Sequence, residues 1–164
     1  MKIDTASKWY LLACSLLFAA VSIYFGTGWS TAIFQFPVME HLTPDNYYLH
    51  FIPQIDAATN FFTFLVTLIG ITGAIMVVGE WRTRYRWVPI LVLLLVAGAT
   101  CLTMLVIFPV NDVLRQGVRD QAHLDEVMAR WKLLTWVRVA IWSSEWALMM
   151  VYFAARVRER GAGR

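Results

Sequence analysis

The chain has 164 residues, enough for one domain; 59% of them are hydrophobic and only 15% charged, with a mean hydropathy of +0.59. A soluble domain is nearer about half apolar and about a quarter charged, so the composition excludes an ordinary soluble fold. The net charge of +3 sits in segments flanking apolar runs, a topological signal that gives no ground for nucleic-acid binding.

Four runs are long enough to cross a bilayer, which takes about 20 largely apolar residues each. The first, "WYLLACSLLFAAVSIYFG" (9–26), is expected to continue as helix to Phe36. Lys2 and Lys8 ahead of it resemble the charged region of a secretory signal, and "LLAC" resembles a lipoprotein box. In a lipoprotein, however, the apolar stretch precedes the cysteine; here most of it follows Cys14, so a retained span is expected. Tyr24, Thr27, Gly28, Thr31 and Gln35 form a polar stripe on this helix, with Gly26 and Gly28 read as close-packing positions.

The connection that follows, "PVMEHLTPDNYYLHFIPQ", has no Lys or Arg and begins a short helix at Thr43-Pro44. His41 and His50, with Asp56 nearby, form a weak metal candidate; solvated or interfacial histidines are the plainer reading. Asp56, Asn60, Thr63 and Thr67 then share one face of the second span (55–78). "GEWRTRYR" follows, with Arg82, Arg84 and Arg86. The third span (88–108) contributes Thr100 and Met104 and runs on to Asn111. Residues 109–132 mix four basic with four acidic residues and are expected to hold two amphipathic helices with a break near Gly117.

The fourth span (133–154) carries the least expected residues. Arg138 can lean outward, because helical side chains tilt toward the N-terminus. Glu145 sits near mid-span with no such escape, and a charge there costs about 3 kcal/mol on insertion scales. The two share a face but are about 10 Å apart along the axis, so a direct pair is not expected. Asp56 and Asn60 fall level with Arg138, and Asp56–Arg138 is a candidate interhelix pair.

Basic residues concentrate in the N-terminal tail, the 79–86 loop and the C-terminal tail, which together hold nine of the fourteen. By the positive-inside rule both termini face the cytoplasm, and the expected location is a bacterial inner membrane. The expected fold is all-α: a single integral membrane domain over 1–164, an up-down bundle of four transmembrane helices with short helical segments in the outer loops. Cys14 and Cys101 fall at different depths and should not form a disulfide. The polar stripes are richest in the outer halves of the spans. They converge on a pocket built from Thr31, Gln35, Asp56, Asn60, Asn111, Trp131, Thr135, Arg138, Trp142 and Glu145, walled by aromatics.

"FPVND" (108–112) and "RWKLLTWVR" (130–138) give the chain a resemblance to the anthrone oxygenase-like family of small four-helix membrane proteins. That family typically shows Pro-x-Asn after the third span, then Arg-Trp, three residues, Asn or His, two residues and Arg. Pro109, Asn111, Arg130, Trp131 and Arg138 match; Thr135 stands where the family usually has Asn or His, and a threonine cannot act as the base a histidine could. The resemblance implies oxygenation of a small aromatic or quinone-like compound without an evident metal or flavin. In that reading Glu145 or Asp56 takes the proton and Arg138 and Asn111 hold the resulting anion, while Trp131 and Trp142 stack on the ring. The competing expectation is a non-catalytic accessory subunit of a larger membrane complex, or a homo-oligomer, with the polar stripes gluing helices together.

Overall fold

The computed structural model describes residues 8–162, and among these the chain is helical, without strands. Lys2 and Arg164, counted above for orientation, lie outside the described residues. Four long helices form: α1 (Lys8–Met39), α2 (Tyr47–Glu80), α3 (Trp87–Gln116) and α4 (Gln121–Ala162). The first three are long and apolar enough to cross a membrane, each exceeding the ~30 Å hydrocarbon core at 1.5 Å per residue. The fourth, with 42 residues, is the longest, and 133–154 lies inside it. Arg138, Glu145, Ser143 and Ser144 dilute its apolarity, so it does not join those three.

Sequence chemistry sets the ends. Gly117, with φ of 95°, takes the left-handed conformation that stops α3. Its turn is held by Tyr47, whose hydroxyl donates to the Leu114 carbonyl (2.9 Å) and accepts the Val118 N–H (2.7 Å). Residues 109–116, expected as a separate helix, simply continue α3, whereas α4 does run unbroken from the outer segment into the fourth apolar stretch. The helix expected at Thr43-Pro44 starts at Tyr47, because Thr43 and Asn46 close a turn first (Thr43 N–H to Asn46 Oδ1, 2.8 Å).

Each helix packs on the one before it, and α4 closes the ring against α1. Residues 8 and 162 and the 81–86 turn share one end of the bundle, here the terminal end; the 40–46 and 117–120 connections form the far end. Close approach is bought at three glycines, where a Cβ would fall within 3 Å of a neighbour: Gly28 against Trp142, Gly73 against Leu93 and Gly79 against Tyr10. Gly26, expected to do the same, faces open space.

α1 and α3 share an octapeptide pattern, "TAIFQFPV" (31–38) and "TMLVIFPV" (103–110). In both, the helix widens to a π turn, Thr31–Gln35 and Thr103–Ile107. The N–H of the Phe before each proline reaches back five residues to the Thr carbonyl. Each Thr hydroxyl donates to the carbonyl four residues earlier, Thr27 (2.9 Å) and Ala99 (2.8 Å). Pro37 and Pro109 cannot donate and would crowd the carbonyl four residues back, which the widened turn relieves.

The buried apolar residues fall into two clusters. One, at the terminal end, is built around Leu17, Val21, Ile69, Met76, Val92 and Met149. The other, at the far end, is built around Phe36, Phe51, Ile107, Leu114, Leu124 and Trp131. Between them the packing opens, at the level of both π turns.

Candidate functional site

A cavity of about 390 Å³ occupies that gap, lined by all four helices. This is within the range of small-molecule sites, roughly 300–1,000 Å³. From α1 come Tyr24, Thr27, Thr31 and Gln35; from α3, Thr100, Thr103, Met104 and Asn111; from α4, Trp131, Thr135, Arg138 and Trp142. The α2 wall is Gln54, Thr59, Phe62, Thr63 and Thr67, with apolar residues between.

The α4 wall carries most of the chemistry. Arg138 Nη2 donates to Thr135 Oγ1 (3.0 Å), one turn toward the far end, the direction in which helical side chains lean. Its guanidinium lies over the Trp142 ring (5.3 Å) and the Trp131 ring (5.9 Å), cation–π contacts that substitute in part for lost hydration. Trp131 Nε1 donates to Asn111 Oδ1 (3.1 Å), joining α4 to α3. Arg138 Nε and Trp142 Nε1, by contrast, are buried donors without a partner. Such a group costs about 1–3 kcal/mol while unpaired.

The threonines answer the glue expectation. Thr31, Thr59, Thr63, Thr67, Thr100 and Thr103 each donate to the carbonyl four residues earlier on their own helix. None ties two helices together. They present methyls and free lone pairs to the cavity, giving an apolar wall sprinkled with acceptors.

Of the residues proposed from sequence, Thr31, Gln35, Asn111, Trp131, Thr135, Arg138 and Trp142 meet at this cavity. Asp56 and Asn60 do not line it. Asp56 pairs with Arg115 at 2.6 Å on the exposed rim, in place of the expected Arg138. A stripe drawn with ideal helical spacing was broad enough to be rotated by half a face: Thr63 and Thr67 reach the cavity, while Asp56 and Asn60 fall outside it and are exposed. Glu145 is fully buried with neither oxygen hydrogen-bonded, but it lies one turn beyond Trp142 and does not line the cavity. His41 and His50 are exposed on the far end, and among the described residues no three His, Cys, Asp or Glu side chains converge. Cys14 is buried and Cys101 exposed, both as free thiols.

A second polar cluster lies at the terminal end, away from the halves where the polar stripes are richest. Glu80, fully buried, accepts at Oε1 from Tyr10 and Tyr152 (2.7 Å each) and at Oε2 from the Thr83 hydroxyl. Arg156 Nη2 stands 3.3 Å from Oε1. Its polar atoms are all partnered, so it is a latch joining α1, α2 and α4. The signal available in sequence was the i,i+4 pair Tyr152/Arg156 facing an acid at the end of a span; Glu80 instead read as one more loop charge.

No family model, no curated protein and no solved structure matches the chain.

Proposed function

We propose that all four helices cross a bilayer and enclose a binding site for a small lipophilic aromatic or quinone-like compound, one of whose oxygens is held by Arg138. The observation that carries this is Arg138, its Nε unpartnered, among the residues lining a cavity whose other walls are rings, threonines and the Gln35, Gln54 and Asn111 amides. A carbonyl or phenolate oxygen would pair with the Arg138 guanidinium, and the Asn111 and Gln35 amides line the same cavity. The basic 79–86 loop puts the terminal end in the cytoplasm, so the cavity belongs to the outer leaflet. Titration of the reconstituted protein with 2-methyl-1,4-naphthoquinone, read by tryptophan quenching, tests this. Arg138→Leu should weaken binding roughly 10- to 150-fold, the equivalent of one hydrogen bond to a charged group, about 1.5–3 kcal/mol. Undiminished binding by that variant would sink the reading.

The meeting of Asn111 of α3 with Trp131, Thr135 and Arg138 of α4 at one cavity favours an oxygenase-like activity on the bound ring as a second reading. An anthrone-type substrate would lose a methylene proton, and Arg138 and Asn111 would stabilise the resulting enolate. Dioxygen, the oxidant, would supply one oxygen for the new carbonyl and leave with the two hydrogens as water. Among the described residues no carboxylate or histidine lines the cavity. Glu145, one turn beyond Trp142, is the acceptor this reading requires. Dioxygen uptake with anthrone, unaltered by Glu145→Gln, would remove that residue from the mechanism. The accessory-subunit reading draws on the interhelix Trp131–Asn111 bond and the Asp56–Arg115 pair.

A further inference from the structure

We propose that the cavity is loaded sideways from the lipid, through a slot between α2 and α3, by a ring-bearing molecule whose apolar tail stays in that slot. This rests on the reading of the cavity as a site for a lipophilic ring compound.

The exposure of the cavity's own walls points to the slot. On α1 and α4 every lining residue is buried or half-buried, whereas Gln54, Thr63 and Thr67 of α2 and Met104 of α3 (58% exposed) are open to the surroundings. The cavity is therefore walled at the back and open at the α2–α3 seam.

Closures above and below bound the seam. At the far end the Asp56–Arg115 pair ties α2 to α3. At the terminal end Leu93 of α3 sits directly on Gly73 of α2. Between these levels no hydrogen bond joins the two helices among the described residues, because the threonines there donate to their own backbones. The exposed lining residues of α2 run from Gln54 to Thr67, a rise of roughly 20 Å, which suits an extended chain better than a compact solute.

At the far end the cavity is narrowed, with exposed Gln54 at its rim. Phe51, Ile55, Ile107 and Trp131 are all buried and roof the cavity beneath the loops. The surface beside the slot is apolar, with Phe61, Phe64 and Leu105 exposed. A ligand dissolved in the bilayer thus meets an apolar entrance, threonine-lined lips and then the Arg138 guanidinium. The head group is fixed there, and the tail needs no polar contact.

The test uses the full chain in lipid vesicles and a 1,4-naphthoquinone carrying a decyl chain that ends in a benzophenone. After irradiation, labelled peptides are located by mass spectrometry. Saturable labelling on the slot's lips, around Phe64, Cys101 and Leu105, competed by 2-decyl-1,4-naphthoquinone and lost in Arg138→Leu, is the expected result. Saturable, Arg138-dependent labelling that lands on residues 40–46 or 117–120, or on α1 and α4, overturns the slot while leaving the cavity reading intact. Labelling indifferent to Arg138 overturns both. A kinetic arm needs no label: Cys101→Trp, at the outer lip and outside the lining, should slow quinone association and release by the same severalfold factor at unchanged affinity. Unchanged rates count against the slot.

Discussion

Gly79→Ala makes the sharpest stability prediction. A Cβ at this position would lie 2.2 Å from Cε2 and 2.8 Å from Cδ2 of Tyr10, well inside any observed contact. Tyr10 cannot step aside cheaply: it is 2% exposed, and its hydroxyl is bonded to Glu80. Displacing the ring adds an overpacking cost of about 1–3 kcal/mol. Losing a hydrogen bond to a buried carboxylate adds about 1.5–3 kcal/mol more. The terms overlap, so a net destabilisation of about 3 kcal/mol is expected, or roughly 6–12 °C in Tm on the scale of soluble chains of this length. Cys14, buried in the same cluster, supplies the assay: in a Cys101→Ala background, a thiol-reactive fluorophore reports unfolding in detergent. Gly26→Ala, which meets no neighbour within 4 Å, serves as the control and should unfold close to the parent. If Gly79→Ala also unfolds with the parent, the account of the latch is wrong.

Tyr47→Phe removes a hydroxyl that both donates and accepts at the α3–α4 turn, and should cost about 1–3 kcal/mol, seen as faster amide hydrogen exchange at Val118. Asp56→Asn breaks an exposed ion pair worth at most about 1 kcal/mol and lies outside the cavity, so equilibrium quinone affinity should not change; a tenfold loss would return Asp56 to the binding wall. Glu80→Leu leaves the Tyr10 and Tyr152 hydroxyls without their shared acceptor and should lower thermal stability more than Tyr152→Phe does. Near-equal effects would mean the carboxylate is not the centre of the latch.

The all-helical architecture and the three helices long and apolar enough to cross a membrane were legible because such helices announce themselves by length and composition. So was the far-half location of the cavity, because polar residues inside such helices need partners. Rotation about each helix axis was less legible: spacing grouped Asp56 and Asn60 with Thr63 and Thr67, but only the latter two reach the cavity, at its open edge. Glu145 was singled out correctly as buried and costly, yet its depth put it below the cavity floor rather than in it. The paired π turns were unreadable as structure, since a widened turn follows from how Pro37 and Pro109 settle against their own helices. The Glu80 latch was missed because its members are 70 and 72 residues apart along the chain, and only tertiary packing brings two ordinary-looking tyrosines onto one carboxylate.

The central claim is that the cavity holds a lipid-soluble molecule through Arg138. Native mass spectrometry of the protein, released gently from its host's own membranes, addresses that claim most directly when wild type and Arg138→Leu are run side by side. The account predicts a bound small molecule on the wild-type chain that is missing from the variant. A wild-type chain that carries no small molecule and emerges in fixed stoichiometry with unrelated subunits would contradict it.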